Sequence, residues 1–125
     1  MADLKRQDVI RLIAVADKIN LQGVDLSGVN LSKLSFYKGN LALANLKGAN
    51  LSIADLQGAV LVGANLVKAN LWGANLESAN LQGANLSGAI IESANLQGAD
   101  LSGAILNGAN LNDANMEGCI GSPQL

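Results

Sequence analysis

Histidine and threonine are absent from the 125 residues, and cysteine, proline, phenylalanine, tryptophan and tyrosine occur once each. Each shortage removes a class of answer. Without His there is no His-activated nucleophile and no His metal site. Without Thr there is no Thr array of the ice-binding kind. One Cys allows no intrachain disulfide, which leaves the redox compartment open. One aromatic of each kind is too few for an ordinary mixed core. Half of the residues are hydrophobic, yet no apolar run approaches the roughly eighteen residues that would suggest a membrane span. Charge is sparse as well, with 8 basic against 10 acidic residues and a net of −2. It is unevenly placed. Residues 1–50 hold seven Lys/Arg and four Asp/Glu (7 − 4 = +3), and residues 51–125 hold one and six (1 − 6 = −5). The cluster Lys5, Arg6, Arg11 is too thin for a nucleic-acid footprint, and the pI is acidic.

The N-terminus imitates an export signal, with a charged start and the triplet Ala14-Val15-Ala16. Arg11 splits its apolar stretch, so a helix is the better reading. It is expected over Asp3 to Lys18, with Asp3 as N-cap and Val9, Leu12, Ile13 and Ala16 on one face. A cytoplasmic location follows, with an exported form left open.

What the chain has in abundance is one unit. Every fifth residue from Leu21 to Met116 is large and apolar, twenty times without a slip. Two residues before it, Ala recurs fifteen times running from Ala44 to Ala114. The residue just before it is Asn thirteen times and Asp three times, and the second residue after it is Gly twelve times. A period of five fits no helix, where residues five apart are turned by about 140°. It fits no straight strand either, where they point to opposite faces. The chain must turn a corner once per repeat. Gly at the second central position of a type II turn permits this through φ > 0. Right-angle corners close after four sides, so one coil takes 4 × 5 = 20 residues, and five coils would span about 24 Å.

The unit A-(D/N)-L-x-x, carried from about Ile19 to Ile120, resembles the pentapeptide repeat family, particularly its small cyanobacterial-type members. The resemblance implies an all-β solenoid, a right-handed quadrilateral parallel β-helix; the twenty repeats make it about five coils, and the N-terminal segment is expected to add a capping α-helix. Residues 1–18 are expected to form the cap, 19–120 the β-helix and 121–125 a C-terminal tail.

Several positions depart from the unit. Ile19, Val24, Val29 and Leu34 enlarge the first small column and predict a wider first layer beneath the cap, with Gly39 making room for Phe36. Leu43 and β-branched Ile53 stand at corners and should resist φ > 0, predicting another turn type there. Cys119 fills an Ala slot, which suits a small core residue. Gly121 and Pro123 end the pattern. Leu111, Met116 and Ile120 would then lie at an uncovered end, where two chains meet as a homodimer unless the natural chain continues.

Function would be written on the outside. Counting by twenties places Leu43, Val60 and Val62 on one side, Ile53, Trp72 and Ile90 on another, and Val67 between them. The fold does not require such an apolar belt, so these residues are the candidate surface for an unidentified protein partner. Asn side chains stacked coil on coil are expected to form amide ladders. Glu77 and Glu117 share a column but lie two coils apart, about 10 Å, and no phosphate loop appears. No catalytic residue, metal site, cofactor, small-molecule substrate, membrane or direct nucleic-acid contact is expected. A non-enzymatic interaction scaffold is the first reading. The alternative, implied by similarity to the gyrase-protecting branch of the family, is a DNA mimic that binds a type II topoisomerase. Lys33, Lys38, Lys47, Lys68 and the weak net charge count against it.

Overall fold

A computed structural model describes residues 2–121, 123 and 124; Met1, Ser122 and Leu125 lie outside the described residues. The five-residue period closes into square coils. Asn20 pairs in parallel with Asn40, Asn40 with Val60, Val60 with Asn80, Asn80 with Asp100, and Asp100 with Ile120. Rungs beginning at Asp25, Asn30 and Ser35 repeat the same offset of twenty residues, except that the Asp25 series ends with Ile105 opposite Gln124. These four series are the first to fourth sides of a right-handed quadrilateral β-helix.

Each corner has the two marks of a type II turn. After Leu71, for example, Gly73 has φ 64° and the Ala74 N–H returns to the Leu71 carbonyl at 3.0 Å. The corners at Leu43 and Ile53 were expected to differ, and they do not. Both residues have φ 59°. Stacking explains this. The N–H groups of Leu43 and Ile53 donate to Val62 and Trp72 carbonyls, each at 2.9 Å, and the next residues close the turn at 3.1 Å. Two hydrogen bonds per corner, at about 0.5–1.5 kcal/mol each, offset a left-handed penalty of about 1–2 kcal/mol.

Inside, every large residue of the period from Leu21 to Leu106 is buried, and so is the Ala column from Ala44 to Ala104. A filled Leu contributes about 1.5–3 kcal/mol, and the Ala column lets the sides approach closely. Gly39 is tight for a reason other than the one expected. A Cβ there would meet the Phe36 backbone carbonyl at 3.0 Å and the Ile19 side chain at 3.3 Å. The room is made for Ile19 and the main chain, not for the Phe36 ring.

The Asn column also works differently from a ladder. Each Asn or Asp of the column, from Asn20 to Asn115, accepts through Oδ1 the N–H two residues ahead; Asn70 and the Trp72 N–H at 3.0 Å are typical. This is an Asx turn, and it shapes the corner locally. Ties between coils run diagonally instead, as from Asn40 Nδ2 to Gln22 Oε1 at 3.2 Å and from Gln82 Nε2 to Asp100 Oδ2 at 2.6 Å.

The first coil is closed by α1, Arg6–Val15. Asp3 is not its N-cap. Lys5 holds that position, and its N–H donates to the Asp8 carboxylate at 2.9 Å, the return half of a capping box. Asp3 joins the first coil, its N–H donating to the Asp25 carbonyl at 2.7 Å and its carboxylate accepting the Asp25 N–H at 2.9 Å. Arg6 Nη1 donates to the carbonyls of Asn30 and Ser32, both at 3.0 Å. Val9 is buried, with Leu4, Leu12 and Ile13 packed against the core. At the other end Gly121 turns with φ 89° close against Ser102, and Gln124 rejoins the ladder opposite Ile105.

Candidate functional site

Three outward apolar residues meet on the third side. Trp72 is 44% exposed and follows Asn70, whose rung pairs with that of Ile90. Ile53 lies one coil back at the corner. Its side chain leans over Gly73, 3.6 Å from where a Cβ would stand, and its N–H reaches the Trp72 carbonyl. Ile53 and Ile90 are also exposed. The three form a diagonal stripe, one residue on each of three successive coils.

The remaining candidates lie elsewhere. Val60 and Val62 are half-buried on the first side, with exposed Leu43 reaching over Gly63, 2.8 Å from a Cβ position. Half-buried Val67 lies on the second side. The first and third sides of a quadrilateral face opposite ways, so the belt resolves into two patches that no single flat partner can cover.

Apolar substitution has a local consequence. At Val60, Ile90 and Ile105 the Asn is missing, and so is the Asx bond to the N–H of Val62, Glu92 and Asn107 among the described residues. The corners at Leu43 and Ile53 hold strained left-handed residues. Leu43, Ile53, Val60 and Ile90 therefore sit where the chain departs from its own stabilising unit, whereas Trp72 and Val67 occupy variable positions and keep the Asx bond.

Comparison with known proteins agrees with the repeat. The model for Pentapeptide repeats matches residues 17–52, 54–92 and 91–120, in 8 copies. The chain belongs to the pentapeptide repeat family. Among solved family members it is similar to Rfr23 from the cyanobacterium Cyanothece 51142, at 32% identity over 93% of this chain and 95% of that one, with a TM-score of 0.71. It is also similar to alr5209 from Nostoc PCC 7120, at 26% identity over 94% and 96%, with a TM-score of 0.61. QnrB1, a plasmid-mediated fluoroquinolone resistance protein, is similar at 25% identity over 83% and 70%, with a TM-score of 0.36. No curated protein matches this pentapeptide repeat chain.

Some outward residues of this family member, half-buried Ile105 and exposed Tyr37 and Val15, lie outside the surface expected from the sequence. Ile105 breaks the Asn column and was findable on that ground. Tyr37 is exposed beside Lys38, whose Nζ stands 5.4 Å from the ring centroid. Val15 is 85% exposed because α1 stops there, at Ala16 in extended geometry. An open groove of about 710 Å³ runs past Ala16, Ile19, Tyr37 and Lys38. Among the described residues no acidic or Cys cluster is arranged to hold a metal ion, and no helix is long and apolar enough to cross a membrane. Cys119 packs partly buried against the core and donates to the Leu96 carbonyl at 3.0 Å. Burial pushes its thiol up from the ordinary value, away from reactive thiolate.

At the C-terminal end Leu111 and Met116 are half-buried, and Ile120 is 57% exposed. Among the described residues the N–H groups of Leu111 and Met116 have no backbone partner.

Proposed function

We propose that this pentapeptide repeat protein is a non-enzymatic scaffold that binds another protein through the side holding Ile53, Trp72 and Ile90. One observation supports it above others: Leu43, Ile53, Val60 and Ile90 stand outside at positions where the repeat's own Asn or Gly would stabilise the fold better, and Trp72 lies between Ile53 and Ile90 on their side. Surfaces that sacrifice local stability in this way are characteristic of binding sites. The patch of Leu43, Val60 and Val62 offers a second contact on the opposite side, and Val67 extends the belt between them. Leu111, Met116 and Ile120 offer contact with a second copy of the chain.

The test is affinity capture of partners with wild-type protein and with Trp72→Ser, after matching their melting temperatures. Loss of a specific partner supports the reading. Undiminished recovery of every partner removes Trp72 from the site. The DNA-mimic alternative predicts protection of a type II topoisomerase in a supercoiling assay. It is disfavoured because Lys33, Lys38, Lys47 and Lys68 interrupt any acidic surface.

A further inference from the structure

Asparagine is the residue this chain uses most deliberately, and one copy is used unlike the rest. The thirteen Asn residues of the column are each followed by Leu or Met. Each has its Oδ1 tied into an Asx turn, as Asn70, Asn110 and Asn115 show, and a bulky side chain flanks the amide that follows. Two Asn residues stand outside the column, Asn107 and Asn112. Asn112 precedes Asp113, and its own N–H is held by Asn110 Oδ1 at 3.0 Å. Asn107 is exposed and precedes Gly108, in the only Asn-Gly pair of the chain. Among the described residues its side chain makes no hydrogen bond.

The corner that holds Asn107 is also the least braced of its column. Gly28, Gly48, Lys68 and Gly88 each donate N–H to a carbonyl of the coil beyond, at 2.9 Å. Among the described residues the Gly108 N–H has no such acceptor. Ile105 stands where an Asn would accept the Asn107 N–H, so that bond is missing as well. The peptide between Asn107 and Gly108 is therefore held from one side only, by the Gly88 N–H on the Asn107 carbonyl at 2.9 Å. The turn itself closes through the Ala109 N–H and the Leu106 carbonyl at 3.0 Å. In a stack, an outer coil opens at lower cost than an inner one.

We propose that Asn107 and Gly108 form a self-modifying site, where the Gly108 nitrogen attacks the Asn107 side chain and water completes its conversion to aspartate and isoaspartate. The Gly108 N–H first gives its proton to hydroxide. A bond then forms between this nitrogen and Asn107 Cγ, and the bond from Cγ to Nδ2 breaks. The side-chain nitrogen leaves as ammonia, taking its added proton from water, and a five-membered succinimide remains. Water opens that ring at Cγ to give aspartate, or at the main-chain carbonyl to give isoaspartate. Nothing is oxidised or reduced; an amide and water become a carboxylate and ammonium. Glycine has no Cβ to obstruct the approach and lets the peptide rotate into it. Either product adds a negative charge to residues 100–119, which already hold Asp100, Asp113 and Glu117 and no Lys or Arg. Isoaspartate also sends the main chain through an additional carbon, in a stack whose sides are fixed at five residues. The displacement falls on the next rung, where Asn110 donates to the Ala89 carbonyl at 2.9 Å and accepts the Ile91 N–H at 2.7 Å.

The test is to age the folded protein at neutral and mildly alkaline pH and follow each Asn by peptide mass spectrometry, with isoaspartate detected by enzymatic methylation. Asn107 should convert at least about tenfold faster than Asn112 or any column Asn, because two bracing hydrogen bonds are missing at its corner. The rate should rise with pH, as attack by a deprotonated amide requires. Asn107→Gln should remove the reaction and keep the fold, since Gln22, Gln57, Gln82 and Gln97 hold the same place in other repeats. A second variant separates the corner from the dipeptide. Ile105→Asn restores the acceptor for the Asn107 N–H and leaves the Asn-Gly pair intact, so conversion should slow several-fold. In concentrated urea, where no corner exists, this variant and wild type should convert alike. An intact Asn107, conversion no faster than at Asn112, or a wild-type rate for folded Ile105→Asn overturns the proposal. A difference between the two proteins that persists in urea overturns it too, because the corner is then not its cause.

Discussion

At the corner after Leu51, a β-branched side chain stands at φ 59°, a conformation that costs a residue other than Gly about 1–2 kcal/mol. Ile53→Gly relieves that strain and gives back part of it in chain entropy, about 0.5–1 kcal/mol. The expected net is a stabilisation of up to about 1 kcal/mol, measured by denaturant unfolding. A melting temperature clearly below wild type would mean that Ile53 packs as a structural residue. A second single-residue expectation concerns acid. The Ser27 hydroxyl, followed by the Ser27 N–H, holds the Asp25 carboxyl below its ordinary range. A depressed folded pKa adds stability above the unfolded value of about 3.9, and that stability is lost as pH falls through the folded pKa. Asn can make the same two contacts, as Asn30 does with Ser32. Asp25→Asn should therefore melt like wild type at neutral pH and lose less stability below about pH 4. Parallel acid limbs for the two proteins would count against the assignment.

At the scale of the element, α1 closes the first coil by more than an apolar face. The coil's upper edge presents carbonyls, and Arg6 supplies donors where a preceding coil would have supplied N–H groups. Arg6→Ala leaves two carbonyls to water and removes the stem that covers the edge. The expected loss is about 1–2 kcal/mol, less than for a buried charged pair because these groups are only partly covered. Arg6→Lys should recover little, since an ammonium lacks the planar fork that spans two acceptors. Hydrogen exchange would check this, with faster exchange expected in the coil that begins at Asn20 and near-native protection in the coils beyond.

The whole molecule is a stack in which each coil rests on its neighbours, so stability should behave almost one-dimensionally. Leu71→Ala, in the middle of the buried column, should cost about 2–5 kcal/mol. Lys47→Asp, outward and exposed, should change stability by less than about 0.5 kcal/mol. Equal losses would refute the inward and outward assignment. Pairing of two chains through Leu111, Met116 and Ile120 carries an electrostatic signature. Residues 100–119 hold Asp100, Asp113 and Glu117 and no Lys or Arg, so a two-fold contact brings like charges together. Its association should therefore strengthen as salt rises, opposite to an ion-paired interface. Sedimentation at low and high salt tests this, with Met116→Glu shifting a real dimer toward monomer. A monomer under both conditions at high micromolar protein dismisses the contact.

The period of five was enough, before any coordinates, to require a corner in every repeat and twenty residues in every coil, because helix and strand geometries both forbid that spacing. It also identified the inward Leu and Ala columns and placed Trp72 with Ile53 and Ile90, since side chains on a regular solenoid are assigned by counting. The corner conformation at Leu43 and Ile53 was decided only in the stack. Local propensity argued against φ > 0 there, and hydrogen bonds to the next coil outweighed it. The role of the Asn column was likewise hidden. An amide can bond along the stack or to its own turn, and only the folded corner brings the N–H two residues ahead within 3.0 Å of an Oδ1 such as that of Asn70. Asp3 left the helix for the same kind of reason: the open carbonyl edge of the first coil, absent from any local reading, bound it more strongly than a helix end could.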